Sequence, residues 1–414
     1  MRVASLCLMV LLAASPARGQ EAGDASPLAG NPSIQAALRA IQAAESDTIA
    51  EQIRLCEIPA PPFKETARAR AYADAFRAAG LTNVRIDRAG NVLGERAGRL
   101  PRPNLVISAH LDTVFPEGTD VTVRRDGARL HGPGIGDDCR GLAVLLAVVR
   151  ALDAAGVETP GTMTFVGTVG EEGLGDLRGV KALFAETLAG RVDRFVSIDG
   201  SGHAITNVAV GSRRYRVTFQ GPGGHSYEDF GRANPAHALG RALAAIAGWQ
   251  VPERPRATFS VGRIGGGTSV NAIPSDAWME VDLRSSDAAA LKMLGARLHD
   301  AVQRALAAEN ERWRNNGQLR VSIELIGDRP GGTTSAESPI VRTALGVAAA
   351  LGLRSMLDEG STDANVPMAL GIPAITTGAG GTITGAHSLQ EVFDTTDSWR
   401  GSQRILLLAI ALAR

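Results

Sequence analysis

The chain has 414 residues, 44% hydrophobic and 21% charged, with 43 basic and 43 acidic residues and a formal charge of zero. That length supplies a large core and room for two domains, and without a basic stripe there is no electrostatic case for nucleic acid. Aromatic residues make up only 4% while glycine numbers 48, which fits α/β units with many strand-to-helix turns and fits a base-stacking platform poorly.

The first residues, MRVASLCLMVLLAASPARGQ, read as a basic residue, an apolar run and then small residues. This is the pattern of a signal peptide over 1–19, cleaved after Ala17-Arg18-Gly19, and it implies a secreted or periplasmic protein. The apolar run from Val3 to Ala14 is too short to span a bilayer, so no membrane span is expected after cleavage. Small residues of the lipoprotein kind do not follow Cys7, so no lipid anchor is invoked. Loss of Arg2 and Arg18 leaves a formal charge of about −2. Cys56 and Cys139 remain; two cysteines make no disulfide framework, and a single bridge between them is left open.

Residues 20–32 contain Gly, Ala and Pro and read as a loose segment. Residues 33–54 carry apolar positions at helical spacing with Ser33 as cap, and 64–80 repeat the pattern up to Gly80. Strands follow: NLVISAH (104–110), then a Gly-rich turn GPGIGDD (132–138) leading into a helix over 141–152. TMTFVGTVGEE (162–172) is a strand ending in two glutamates, RFVSIDG (194–200) one ending in aspartate, and IPAITTG (372–378) a late strand before His387. This alternation predicts an α/β fold with a doubly wound, mostly parallel sheet.

The middle reads differently. A strand over 207–221, a helix over 235–248, strands at 257–265 and 277–284, a helix over 286–308 and a strand at 319–326 give the order β-α-β-β-α-β. That is a ferredoxin-like α+β unit. It predicts an inserted domain over 207–328, between two parts of the larger domain at 20–206 and 329–414.

The strand ends carry the chemistry. His110 and Asp112, Asp137, Glu171 and Glu172, and Asp199 each follow an apolar strand or Gly-rich turn, and His387 follows a late strand. Sites in open α/β sheets lie beyond the carboxyl ends of strands. Singly, such a histidine is more often a polar residue at a loop entrance, and a Glu-Glu pair more often solvated surface. Recurring at successive strand ends, they form a ligand set of His, Asp and Glu without cysteine, suited to zinc or another divalent first-row ion. Adjacent glutamates supply one ligand and one base only if the strand has become a loop there, since in a strand they point to opposite faces.

The motifs SAHLDTV (108–114), GPGIGDD (132–138), GEEGLGD (170–176), SIDG (197–200) and GAHS (385–388) occur in that order. In this they resemble the M20 metallopeptidases, also called the aminoacylase/carboxypeptidase G2 family. EIPAPPFKE (57–65) and STDANVP (361–367) are closer to its peptidase T-like branch. The resemblance implies two zinc ions (cobalt or manganese being alternatives), with Asp137 bridging them. It implies that His110 and Asp199 complete one ion and Glu172 and His387 the other. Asp112 is implied to accept a hydrogen bond from the far nitrogen of His110, and Glu171 to take a proton from the water between the ions. Asp138 is the other candidate for the bridge; the GPGIG spacing favours Asp137. Cys139 stands where family members often have Lys or another polar residue, and is read as structural.

In the inserted domain, GGHS (223–226), GTSVNAIPS (267–275) and DLRS (282–285) resemble the family's lid motifs. They imply that His225 stabilises the oxyanion and that Asn271 and Arg284 hold a substrate carboxylate. The family also implies a homodimer joined through the inserted domains. GPGIG lacks the full dinucleotide spacing and is followed by two aspartates that repel a pyrophosphate, and no GxSxG elbow is present. The expected activity is that of a dinuclear zinc exopeptidase on short peptides. The near rival is an N-acyl-amino-acid deacylase or amidase with the same site. A non-catalytic metal- or peptide-binding protein is the remoter one, and Glu171 argues against it.

Overall fold

The four apolar strands come together side by side. A computed structural model describes residues 25–414, so the expected signal segment lies outside the described residues. Thr162–Thr168, Asn104–His110, Arg194–Ile198 and Ala374–Thr377 are neighbours in that order, all parallel, at the centre of a nine-stranded sheet. Asn104–His110 is buried at all seven positions. Successive side chains of a strand face opposite ways: Leu105 and Ile107 join one apolar cluster, Val106 the other. A sheet covered on both faces needs continuous apolar strands, which is what the sequence carries.

The flanks depart from the mostly parallel expectation, making the sheet mixed. Thr82–Ile86 and Val92–Arg96 add antiparallel on one edge. Ile205–Ala209 pairs antiparallel with Ala374–Thr377 and Gly332–Thr333, and parallel with Leu357–Gly360. Helix Cys139–Ala154 is buried along most of its length and shares a core with helices Pro32–Ala43 and Trp399–Leu412. The single helix expected over 33–54 is two, Pro32–Ala43 and Glu45–Cys56. Its cap is Asn31, not Ser33: Pro32 fills the first helical position, and the Asn31 side chain accepts from the Ser33 and Ile34 N–H groups.

The strand expected over 207–221 divides. Ile205–Ala209 belongs to the central sheet, and Gly211–Gln220 begins a separate four-stranded antiparallel sheet. That sheet runs Ala257–Gly266, Asp276–Ser285, Gly211–Gln220, Arg320–Arg329. Helices Pro235–Ala247 and Ala288–Arg312 pack on it around Val217, Phe219, Met279, Leu283, Leu294 and Leu298. At the crossing between the sheets the two chains nearly touch: a Cβ on Gly211 would lie 2.8 Å from the backbone nitrogen of Gly331.

Arg68, fully buried, ties the loop after helix Glu45–Cys56 to the central sheet. It donates to the carbonyls of Cys56 (3.0 Å), Ile58 (2.9 Å) and Leu111 (2.8 Å). Leu111 separates His110 from Asp112. Arg68→Leu leaves two buried carbonyls and one part-buried carbonyl without this donor, each buried one costing about 1–3 kcal/mol. We expect urea denaturation to show at least about 3 kcal/mol of lost stability; a loss below about 1 kcal/mol would show that water or neighbouring donors replace the guanidinium.

Candidate metal centre

His110 ends its strand, and the Leu111 N–H continues the ladder to the Thr168 carbonyl, 2.7 Å away. Asp199 follows strand Arg194–Ile198, its N–H bonded to the Thr377 carbonyl at 3.1 Å. The carboxyl ends of parallel strands thus deliver both side chains to one place. Strand Thr162–Thr168 stops before the glutamates, and Gly170 turns with φ +66°. A Cβ there would lie 2.6 Å from the Arg178 side chain, so glycine is required at the turn. The loop that the two-role reading of Glu171 and Glu172 needs is therefore present.

Asp137 lies between two imidazoles. Its Oδ1 is 2.9 Å from His110 Nε2 and its Oδ2 3.1 Å from His387 Nε2; His387 Nε2 is also 3.0 Å from Glu172 Oε1. Two groups of ligand atoms result, each within 4.8 Å: His110, Asp137 and Asp199, and Asp137, Glu172 and His387. A third combines His110, Glu171 and Glu172. These are metal-sized clusters of imidazole and carboxylate donors. The Cys139 thiol is not among them; it meets Cys56, and both are buried and free, so the bridge left open above is not formed.

The charges are crowded. Burial, with the Asp137 and Glu172 carboxylates adding to it, lifts the Asp199 carboxyl to about 7. Burial also raises Asp137, but the hydrogen bonds from His110 and His387 outweigh it and hold the carboxyl low. The Asp137 and Glu172 carboxylates raise His387 to about 10. Burial disfavours a charged His110, yet Asp137, Asp138 and Asp199 hold its proton on. Imidazole nitrogens are set against the carboxylates of this cluster. A divalent cation on the same atoms offsets these carboxylates with fewer unfavourable charges, so the donor set fits one.

Asp138 is oriented away from this cluster. Its Oδ2 accepts from the His110 N–H (3.0 Å) and its Oδ1 from the Gly141 N–H (3.1 Å), capping helix Cys139–Ala154. Asp112 differs from the implied arrangement. His110 Nδ1 lies 2.9 Å from the Asp112 backbone carbonyl and 3.9 Å from its Oδ1. The Asp112 carboxylate accepts instead from the N–H groups of Glu171 (3.0 Å) and Glu172 (2.8 Å). A strand end followed by a turn brings the backbone oxygen to the ring and leaves the side chain to hold the next loop.

Three contributors escaped sequence reasoning. Glu391, buried, accepts from the N–H groups of Gly134, Gly136 and Asp137, and so holds the loop that presents Asp137. Burial lifts its carboxyl to about 7. Asp363, inside the STDANVP motif, is buried against the Thr168 hydroxyl, and burial lifts it to about 6. Arg329 contacts Glu171, with Nη1 3.2 Å from Oε1. Their only sequence signal is a charged residue within or near a Gly-rich motif, which does not announce burial.

Among the described residues the inserted unit contributes no donor to these ligand groups. His225 is exposed on a short ladder, Gly224–His225 with Ala272–Ile273, and its ring accepts from the N–H groups of Tyr227 and Glu228. Asn271 is beside it, its carbonyl accepting from the Ser226 N–H. Arg284 pairs with Asp282 at 2.6 Å and lines a cleft of about 250 Å³ with Arg256, Thr258, Glu359 and Ser361.

The model of peptidase family M20/M25/M40 matches residues 106–411. The succinyl-diaminopimelate desuccinylase of Corynebacterium glutamicum is 26% identical over 344 residues, which cover 81% of this chain and 88% of that protein. The protein of the same description from Nitrosospira multiformis is 29% identical over 209 residues, 47% of this chain and 54% of that one; the chain thus spans about half the length of that relative. A crystal structure of a tripeptidase from Staphylococcus aureus superposes with a TM-score of 0.74 at 23% identity, covering 89% of this chain and 99% of the other.

The Asp112 geometry leads to a test. Asp112→Asn sets an amide NH₂ against one of two backbone N–H groups and loosens the Glu171-Glu172 turn. Metal affinity or turnover should fall about 10–100-fold, read by calorimetric titration with zinc. Unchanged affinity and rate would show that the turn holds itself.

Proposed function

The chain belongs to peptidase family M20/M25/M40, and from that premise we propose that it is an exopeptidase hydrolysing an amide bond in short peptides. The observation that carries the reading is the pair of ligand groups sharing Asp137, with the buried Glu171 carboxylate beside them. We assign His110 and Asp199 to one cation, Glu172 and His387 to a second, and Asp137 to both. Zinc suits these donors, as cobalt and manganese do. Bound there, such ions lower the pKa of a water and polarise the scissile carbonyl.

Glu171 is the general base. It also falls in a ligand group with His110 and Glu172, but its Oε1 is engaged by Arg329, which favours base over ligand. Burial raises its proton affinity, with Arg329 opposing. A carboxylate so balanced takes a proton from the attacking water and passes it to the leaving amine nitrogen as the C–N bond breaks. The desuccinylase relatives favour a second reading, an N-acyl-amino-acid deacylase using the same residues.

The inserted unit, 207–328 in the sequence reading, serves as lid and dimer surface. Tyr227, Phe230 and Val270, all largely exposed near His225 and Asn271, support an apolar contact with a second copy. In that homodimer His225 of one subunit stabilises the oxyanion in the other's site, and Asn271 and Arg284 hold a substrate carboxylate. The apolar run after Arg2 supports export to the periplasm or beyond. Among the described residues no helix is long and apolar enough to cross a membrane.

The test is metal-loaded protein on a panel of blocked and unblocked di- and tripeptides and acylated amino acids, read by mass spectrometry. Cleavage of free peptides supports the exopeptidase, cleavage of acyl-amino acids alone the deacylase, and no cleavage of either overturns both. On the best substrate, Glu171→Gln should keep the wild-type metal content and lose about 10²–10⁴-fold in turnover. Loss of an ion in that variant would make Glu171 a ligand.

The trans arrangement predicts complementation. His225→Ala and Glu171→Ala proteins, each nearly inactive, should regain activity when mixed under conditions of subunit exchange. A mixed dimer carries one intact site, with Glu171 from the first chain and His225 from the second. No recovery despite proven exchange would place His225 outside the partner's site.

A further inference from the structure

The peptide unit joining Glu171 to Glu172 is gripped from both sides. Asp112 accepts the N–H groups of Glu171 and Glu172. Opposite, Arg329 donates from Nη2 to the Glu171 backbone carbonyl and from Nη1 to its carboxylate Oε1 at 3.2 Å, with the Ser361 hydroxyl 3.3 Å from the same Nη1. Both side chains of the Arg329–Glu171 pair are about 95% buried. One planar guanidinium therefore fixes the main chain and the carboxylate of the same residue, which a point-charge ammonium does not do.

Arg329 lies one residue past the expected 207–328 bounds, yet its strand belongs to the sheet of the inserted unit. It is the last residue of strand Arg320–Arg329 and pairs with Ser212 of Gly211–Gln220, beside the crossing at Gly211 and Gly331. Its neighbours reach the same loop: the Asp328 N–H donates to Asp176 at 2.9 Å, and Arg214 donates to the Gly173 carbonyl. An ordinary packing role does not account for a buried cation here. Among the described residues Arg329 Nε is buried without a partner, and a buried cation with an unmet donor costs stability that an apolar side chain would not.

We propose that Arg329 is a positioning residue: its two-pronged contact sets the direction of the Glu171 carboxylate and makes it depend on the seating of the inserted unit. The proposal rests on the reading of Glu171 as the base. Among the described residues the hydrogen bonds and ion pair of the Arg329 side chain go to Glu171 and Ser361, outside the two groups that share Asp137, so its removal should spare the metal and disturb the base.

Arg329→Ala and Arg329→Lys are compared with the wild type. Hydrogen exchange by mass spectrometry should be about tenfold faster over residues 169–176 in Arg329→Ala and unchanged over 104–110. Metal content should stay at the wild-type value. kcat should fall about 100-fold in Arg329→Ala with KM within about threefold, since misplacing a catalytic group by an ångström costs that much. Arg329→Lys, keeping charge without the fork, should be slowed nearly as much. Added guanidinium should restore part of the Arg329→Ala rate and leave the wild type unaffected. Unchanged exchange over 169–176, an unaltered kcat, or a metal loss matching the loss of rate would each overturn the proposal. If Arg329→Ala does not fold, Arg329→Lys carries the same measurements. If the wild type cleaves nothing on the panel, the functional reading fails by itself, and the exchange data still decide whether Arg329 holds the turn.

Discussion

The constraint behind the site is electrostatic: Asp137 shares one ligand-sized group with Asp199 and another with Glu172, and Glu172 shares a third with Glu171, the two glutamates buried and the two aspartates partly so. Like charges held so closely repel, and burial removes the water that would screen them. Asp199 registers the cost as a carboxyl lifted to about 7. Two imidazoles on opposite oxygens of Asp137 supply part of the compensation. Divalent cations on the same atoms supply the rest in the functional reading.

Such a cluster has to be held open by something outside it. The holders are a second set of buried carboxylates, each bonded to backbone N–H groups rather than to cations. Asp112 holds the Glu171-Glu172 turn, Asp138 the His110 strand end and the start of helix Cys139–Ala154, and Glu391 the Gly134–Asp137 loop. Peptide N–H groups are fixed donors, so they stabilise a charge without competing for a metal. The division explains how neighbouring residues, Asp137 and Asp138, serve different ends: one oriented into the cluster, the other into the main chain.

The inserted unit reaches this arrangement through charged side chains and a backbone N–H. Arg214, Asp328 and Arg329 all contact the loop that carries the two glutamates. The crossing between the sheets is narrow, with glycine backbones in near contact. A small displacement of the unit is therefore felt first at that loop, while the parallel strands beneath, buried on both faces, stay as they are.

Much of this was legible in the linear chain, because it depends on local regularities. Continuous apolar strands at 104–110 and 162–168 announce a sheet buried on both faces, and the motifs at their ends carry His110, Asp112, Glu171 and Glu172. The β-α-β-β-α-β order between two runs of α/β units announced the separate four-stranded antiparallel sheet with its two helices. Local pattern misled where the decision was not local. Ser33 looked like a cap until Pro32 moved the start to Asn31, and 207–221 looked like one strand although its two halves lie in different sheets. Long-range contacts alone placed Arg329 against Glu171, 158 positions away, and Glu391 beneath the Asp137 loop, 254 away. They also gave the Asp112 side chain to the glutamate N–H groups rather than to the His110 ring. The reason is physical: a strand end dictates where a side chain begins, but its partner is whichever group the packed chain brings within about 3 Å.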